Sequence, residues 1–125
     1  MSVDWTAAER SEVEAAIERY PIESARCAAL ARVVSVVGQR RDARTRGWQL
    51  RPRGAARYVV PRVPNPPVWF SHTFVETHGH AVDALTGADG CERPHYLVAH
   101  WQHPEVLAEH PVDVSEVDPG IEALS

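Results

Sequence analysis

The run His72-Thr-Phe-Val-Glu-Thr-His-Gly-His-Ala-Val-Asp83-Ala-Leu-Thr-Gly87 reads as a tight β-hairpin. It alternates from His72 to Thr77, turns at His78-Gly79, and returns from His80 to Leu85. With His78 and Gly79 as the two central turn residues, Thr77 pairs with His80, Val75 with Val82, Phe74 with Asp83, and His72 with Leu85. Side chains alternate between the faces of a strand. His72, Phe74, Glu76, Ala81, Asp83 and Leu85 therefore share one face, and Thr73, Val75, Thr77, His80, Val82 and Ala84 share the other. His72 and Asp83 become diagonal neighbours, with backbones roughly 7–8 Å apart, a gap that an imidazole and a carboxylate can close. An acid that orients a histidine is two-thirds of a nucleophilic triad. Cys27 is the candidate for the remaining third.

Working outward, Thr6-Ala-Ala-Glu9 has the pattern of a capping box. Val13, Ala16, Ile17 and Tyr20 follow at helical spacing, so an amphipathic helix is expected over residues 6–19, stopped by Pro21. Ser24 is the expected N-cap of a second helix, Ala25 to Val37, closed by Gly38. Its apolar stripe is Cys27, Leu30, Ala31, Val34 and Val37, and this stripe is expected to face the sheet where His72 and Asp83 also point. Residues 39–47 form a charged connector. Trp48–Pro52 and Ala56–Pro61 read as short strands interrupted by Pro and Gly, which suits a sheet edge. A proline-rich loop leads into the hairpin, and Thr86–Gly90 is a turn. Short helices are expected at Pro94–Trp101 and Pro104–Glu109. The acidic end adds one strand, Val112 to Val117, or a tail. This order implies an α+β layer fold, with N-terminal helices packed on a small antiparallel sheet.

At 125 residues the chain is long enough for one domain, 1–125, and no more. Hydrophobic content of 44% and charged content of 24% are ordinary for a globular protein. No apolar run approaches the roughly 20 residues that span a bilayer, so no membrane role is expected. Met-Ser-Val-Asp-Trp opens acidic and does not read as a signal peptide, which points to the cytoplasm or to the effector domain of a secreted protein. The two cysteines, Cys27 and Cys91, are too few for a disulfide scaffold, and no Cys-x-x-Cys pair suggests zinc. Every basic residue is arginine. Residues 1–62 hold twelve Arg against seven acids (+5) and residues 63–125 one Arg against ten (−9), which together give the net charge of −4. The arginines are scattered rather than striped with aromatics, so nucleic-acid binding is not expected.

As the third residue of a helix, Cys27 would have its thiolate stabilised by unpaired N–H groups and the helix dipole. The same N–H groups can hold an oxyanion beside the sulfur. Against this, a cysteine on an apolar stripe often only fills a core.

Cys27-Ala-Ala-Leu-Ala, then His72-x-Phe-Val-Glu, then Gly79-x-x-Val-Asp83-Ala-Leu-Thr-Gly87 resembles the papain-like cysteine hydrolases. The pattern is most similar to the compact papain-fold toxin domains and bacterial transglutaminase-like peptidases, and covers about residues 22–101, leaving an acidic C-terminal segment at 104–125. The resemblance implies a papain-like core with Cys27 as nucleophile, His72 as general base and acid, and Asp83 as the group that orients it. It implies hydrolysis, deamidation or acyl transfer at an amide or thioester carbonyl, with no cofactor. The partners implied are a protein or peptide substrate and an inhibitory or immunity protein. Two features depart from the family. No Gln precedes the cysteine to complete an oxyanion hole, although Gln39, Gln49 or Asn65 could approach in the fold. Ala28 also stands where an aromatic usually follows the cysteine.

His80 is the rival base, but the register places it on the opposite face from Asp83. Glu76 shares the face of His72 and is a candidate for the substrate pocket, as is Trp69 as pocket wall; a solvated strand residue and a core tryptophan are the plainer readings. His78 with His80, or His100 with His103, could form half a metal site, yet neither pair has a third ligand at an obvious spacing. The leading expectation is a peptidase or glutamine deamidase. A non-catalytic binding module on the same scaffold, or a histidine-rich metal enzyme, are the alternatives.

Overall fold

The computed structural model describes residues 2–117. Helix α1 (Ala7–Arg19) begins with the capping box, Thr6 Oγ1 accepting from Glu9 N–H (3.1 Å) and Glu9 Oε1 from Thr6 N–H (2.9 Å). Glu9 is also held by Arg41 (2.6 Å). The hydrogen bond from Arg41 first, and the capping N–H of Thr6 second, pull its carboxyl down to about 2.

The second helix starts later than its sequence suggests. Ser24 closes a 3-10 turn (Ile22–Ser24), its hydroxyl donating to the Pro21 carbonyl (2.6 Å) and accepting from Arg26 N–H (3.3 Å). Ala25 then adopts a left-handed conformation (φ 55°), which interrupts any continuous helix from Ser24. Helix α2 therefore spans Cys27–Gln39 with Arg26 as N-cap, and Cys27 is its first residue rather than its third. Gly38 lies inside α2 and does not end it. A Cβ there would stand 2.4 Å from Thr77 Oγ1 and 3.1 Å from Thr45 Oγ1, so the glycine is needed for close helix–strand approach.

Five strands form one antiparallel sheet: β1 (Arg46–Pro52), β2 (His72–Thr77), β3 (His80–Val82), β4 (Cys91–Glu92) and β5 (Leu107–Val112), in the order β4-β3-β2-β1-β5. The hairpin has the expected register, Val75 opposite Val82 and Thr77 opposite His80. His78 (φ 51°) and Gly79 (φ 75°) both take positive φ, the signature of a two-residue hairpin turn. The ladder ends at Val82, so Phe74–Asp83 and His72–Leu85 are not ladder pairs; the chain turns away at Asp83.

Several segments differ from their local reading because long-range pairing outweighs local propensity. Strand β1 is not an edge, being paired on both sides by β2 and β5. Residues 56–61 form no strand and touch the sheet region through isolated bridges, Val59 with Trp69 and Pro61 with Trp101. Pro104–Val106 is a single 3-10 turn, and Leu107–Val112, expected partly as helix, becomes edge strand β5 beside β1. Val114–Glu116 is a 3-10 turn where a strand to Val117 or a tail was expected, with Asp113 Oδ1 accepting from Ser115 N–H (3.0 Å). Arg32 donates to the carbonyls of Val114 (3.1 Å) and Val117 (2.6 Å), fastening this segment to α2. The rest of the acidic end, 118–125, lies outside the described residues.

The two sheet faces carry separate cores. Val75 and Val82 meet Leu30, Ala31, Val34 and Val37 of α2 and Val13 and Ala16 of α1. Leu50, Phe74 and Ala81 face the other way, against Val59, Trp69, Trp101, Leu107 and Tyr96, the last on the short helix α3 (Tyr96–His100). The fold is thus α+β, with the N-terminal helices on an antiparallel sheet. No helix among the described residues is long and apolar enough to cross a membrane.

Candidate active site

The apolar stripe of α2 packs on the Val75/Val82 face, whereas His72 lies on the opposite face, paired across from Leu50. The expectation that both point to one face is therefore corrected. Cys27 and His72 come to one cavity at the end of the sheet instead. Gly38 sits against Thr77, and from there to Cys27 eleven helical residues rise about 17 Å. From Thr77 back to His72 five strand residues also cover about 17 Å. Anchoring Gly38 on Thr77 thus brings the first turn of α2 level with His72. Both residues line one small cavity, together with Ile22, Arg26, Trp69 and Ala84. Its volume is about 10 Å³, roughly the threshold for a single water.

His72 is 1% exposed and Asp83 2%. The imidazole Nε2 lies 2.8 Å from Asp83 Oδ2. Asp83 Oδ1 accepts from the backbone N–H groups of Leu85 (2.9 Å) and Thr86 (3.0 Å), and Tyr96 donates its hydroxyl to Oδ2. Burial works to raise the Asp83 carboxyl, but His72, Tyr96 and Thr86 outweigh it and leave the group below its ordinary value. Asp83 is therefore a carboxylate, and a carboxylate can only accept. Nε2 must carry the proton, which leaves Nδ1 as the basic nitrogen. Nδ1 is buried and has no hydrogen-bond partner among the described residues, the Cys27 thiol included. Tyr96 is itself fully buried. Desolvation first, and the Asp83 charge second, push its hydroxyl well above the usual tyrosine value, so it remains a donor; Cys27 is close enough to push in the same direction.

Aromatic rings fix the imidazole. Trp69 stacks on His72 (centroids 5.4 Å, planes 11° apart), and Trp101 tilts against it at 4.9 Å. Trp69 is delivered by the bridge to Val59, whose N–H donates to the Trp69 carbonyl (2.9 Å). At α2, the first N–H with an α-helical partner is that of Leu30, donating to the Arg26 carbonyl (3.1 Å). The N–H groups of Ala28 and Ala29 precede it, in the first turn, where intrahelical acceptors do not exist.

Of the residues singled out in the sequence, Cys27, His72, Asp83 and Trp69 are brought together. Glu76 is not at this cavity. It accepts from Trp48 Nε1–H (2.9 Å) and Arg93 Nε–H (3.1 Å), and Arg93 also pairs with Glu109. His80 points away from Asp83, with Nδ1 2.8 Å from the His78 carbonyl, and His78 sets its ring against Trp5. His103 approaches Glu105 (3.6 Å), and no group of three His, Cys, Asp or Glu able to hold a metal occurs among the described residues. Gln39 donates to Ser35, Gln49 accepts from Arg51, and Asn65 lines a neighbouring groove with Ile22 and Glu23. Tyr96 and Thr86 were missed. A signal existed for Thr86, since Asp-x-x-Thr can close its own turn by side-chain hydrogen bonds. Tyr96 carried no local signal.

No family model, curated protein or solved structure matches this chain.

Proposed function

We propose that this protein is a cysteine-dependent amide hydrolase, a peptidase or glutamine deamidase, on a papain-like scaffold of the kind found in compact toxin domains. The observation that carries the reading is the buried His72, held at Nε2 by the Asp83 carboxylate, so that Nδ1 is its basic nitrogen, in a cavity shared with Cys27. His72 Nδ1 takes the thiol proton of Cys27, and the thiolate adds to the amide carbonyl carbon. First-turn N–H groups of α2 stabilise the oxyanion. As the C–N bond breaks, the Nδ1 proton passes to the leaving nitrogen, which departs as an amine, or as ammonia from a glutamine side chain. Water then gives a proton to Nδ1 as its oxygen adds to the thioester carbon; the C–S bond breaks, the acid leaves, and the Nδ1 proton returns to the Cys27 sulfur. Asp83 stabilises the imidazolium that forms in each half.

A second reading, a non-catalytic binding module, is favoured by one observation: the cavity that Cys27 and His72 line is about 10 Å³, room for a single water and not for a substrate group. Labelling with iodoacetamide at pH 6.5, read by mass spectrometry, separates the two. Cys91 serves as internal control, because burial and the nearby charges of Asp83 and Glu92 push its thiol up. The enzyme reading expects Cys27 to label well before Cys91 and Cys27→Ala to lose all amide hydrolysis while staying folded. An inert Cys27 in the folded protein sinks it.

A further inference from the structure

Tyr96 has no part in the steps above, yet it is fully buried, and its hydroxyl shares one oxygen, Asp83 Oδ2, with His72 Nε2. Its ring is locked in place, 4.5 Å from that of Phe74 and 5.8 Å from that of His100. A tyrosine needed only for packing could be a phenylalanine. We propose that Tyr96 is a positioning residue that weakens the hold of Asp83 on His72 by competing for Oδ2, so that the imidazolium gives up its proton readily to the leaving group. The inference rests on His72 being the base of the proposed reaction.

Two donors compete at one acceptor, Asp83 Oδ2. Oδ1 is occupied by two backbone N–H groups, which cannot move without undoing the turn at Asp83–Gly87. Oδ2 therefore carries what remains of the negative charge, and the two donors divide it. In an interior of low dielectric a hydrogen bond to a carboxylate removes a larger share of its field than it would in water. Without the hydroxyl, Oδ2 faces His72 alone and holds the imidazolium more tightly. Such an imidazolium forms easily but is a poor acid. The other polar or charged groups around His72 are few. Cys27 and Arg26 face its cavity from the start of α2 and Tyr20 from the end of α1, and Trp69 and Trp101 cover the ring with apolar surface. Cys91 on β4 interacts with Asp83, and the His100 ring lies against Tyr96.

The test is the titration of the His72 ring by NMR in the folded wild type and in Tyr96→Phe, alongside the pH profile of Cys27 alkylation. Tyr96→Phe is expected to raise the His72 midpoint by about one unit, and to shift the alkaline limb of the alkylation profile upward with it. Fluorotyrosine placed at position 96, a stronger donor, should lower the midpoint, and it leaves a folded comparison if the phenylalanine variant is unstable. A lower melting temperature with an unmoved midpoint would mean that Tyr96 is structural only, and would overturn the proposal. The reading it rests on fails differently: Cys27 alkylation in the wild type would then be indifferent to His72→Gln, whatever Tyr96 does.

Discussion

Asp83 divides its two oxygens between structure and chemistry. Oδ1 closes its own turn through Leu85 and Thr86, and Oδ2 serves His72 and Tyr96. This makes a carboxylate obligatory where an amide would serve at a less crowded site. In Asp83→Asn, either orientation of the amide turns its NH₂ towards two donors. If the NH₂ faces His72, the imidazole must move its proton to Nδ1, and the base is lost. The expected outcome is a loss of about 1–3 kcal/mol of stability, with Nδ1 protonated by nitrogen chemical shift and Cys27 alkylating no faster than Cys91. A variant of unchanged stability and unchanged tautomer would show that the four contacts do not act together. The histidines of the hairpin also separate at this scale. Strict alternation put His72 and His80 on opposite faces, and both are found there, because a two-residue turn with His78 and Gly79 at positive φ leaves no freedom in register.

At the scale of elements, the decisive contact lies far from the thiol. Gly38 against Thr77 sets the height of α2 along β2, and so the height of Cys27 beside His72. Alanine is the better helix former by about 1 kcal/mol, but its methyl would press on the Thr77 hydroxyl and Cβ near the backbone, where nothing flexible can yield. Overpacking of this kind costs about 1–3 kcal/mol. Gly38→Ala is therefore expected to destabilise by about 1 kcal/mol in chemical denaturation and to slow Cys27 labelling; a stabilised variant would refute the contact. The start of α1 offers a test by pH. The carboxyl of Glu9 is depressed from 4.5 to about 2 by Arg41 and the Thr6 N–H. A depressed acid contributes stability above its unfolded value and loses it as pH falls through the folded one. Glu9→Gln keeps the capping geometry and removes the charge. Its melting temperature should lie below that of the wild type at neutral pH, with the gap closing between pH 4.5 and 2. A gap independent of pH would mean that the ion pair contributes nothing.

Across the whole molecule, legibility followed sequence distance. The capping box of α1, the hairpin and the short helix before Trp101 depend on neighbours within a few residues, and each is found where local signals put it. The middle position of β1 was hidden, because its Pro and Gly flanks suit an edge strand while its second partner, β5, comes from nearly sixty residues further on. The same partnership drew Leu107–Glu109 out of the expected helix. The late start of α2 was hidden by Ser24, a good cap that is spent on closing the preceding turn. At the candidate site, Cys27 and His72 line one cavity and Asp83 holds His72, around the end of the sheet and not across one face as alternation suggests. The scaffold that holds them is tied at both ends. Trp5 donates to the Ala88 carbonyl (2.7 Å) and Arg10 pairs with Asp89 (2.5 Å), so the N-terminal segment braces the loop that follows Asp83. Arg32 does the same for the C-terminal turn.

The central claim is that His72 and Cys27 act as one proton-transfer unit. The most direct measurement is the rate of Cys27 alkylation across pH 4–10 in the wild type and in folded His72→Gln. The account predicts a wild-type thiol that is reactive below pH 7 and a variant that reacts only as an ordinary thiol ionises, near pH 8.5. Superimposable profiles would contradict it.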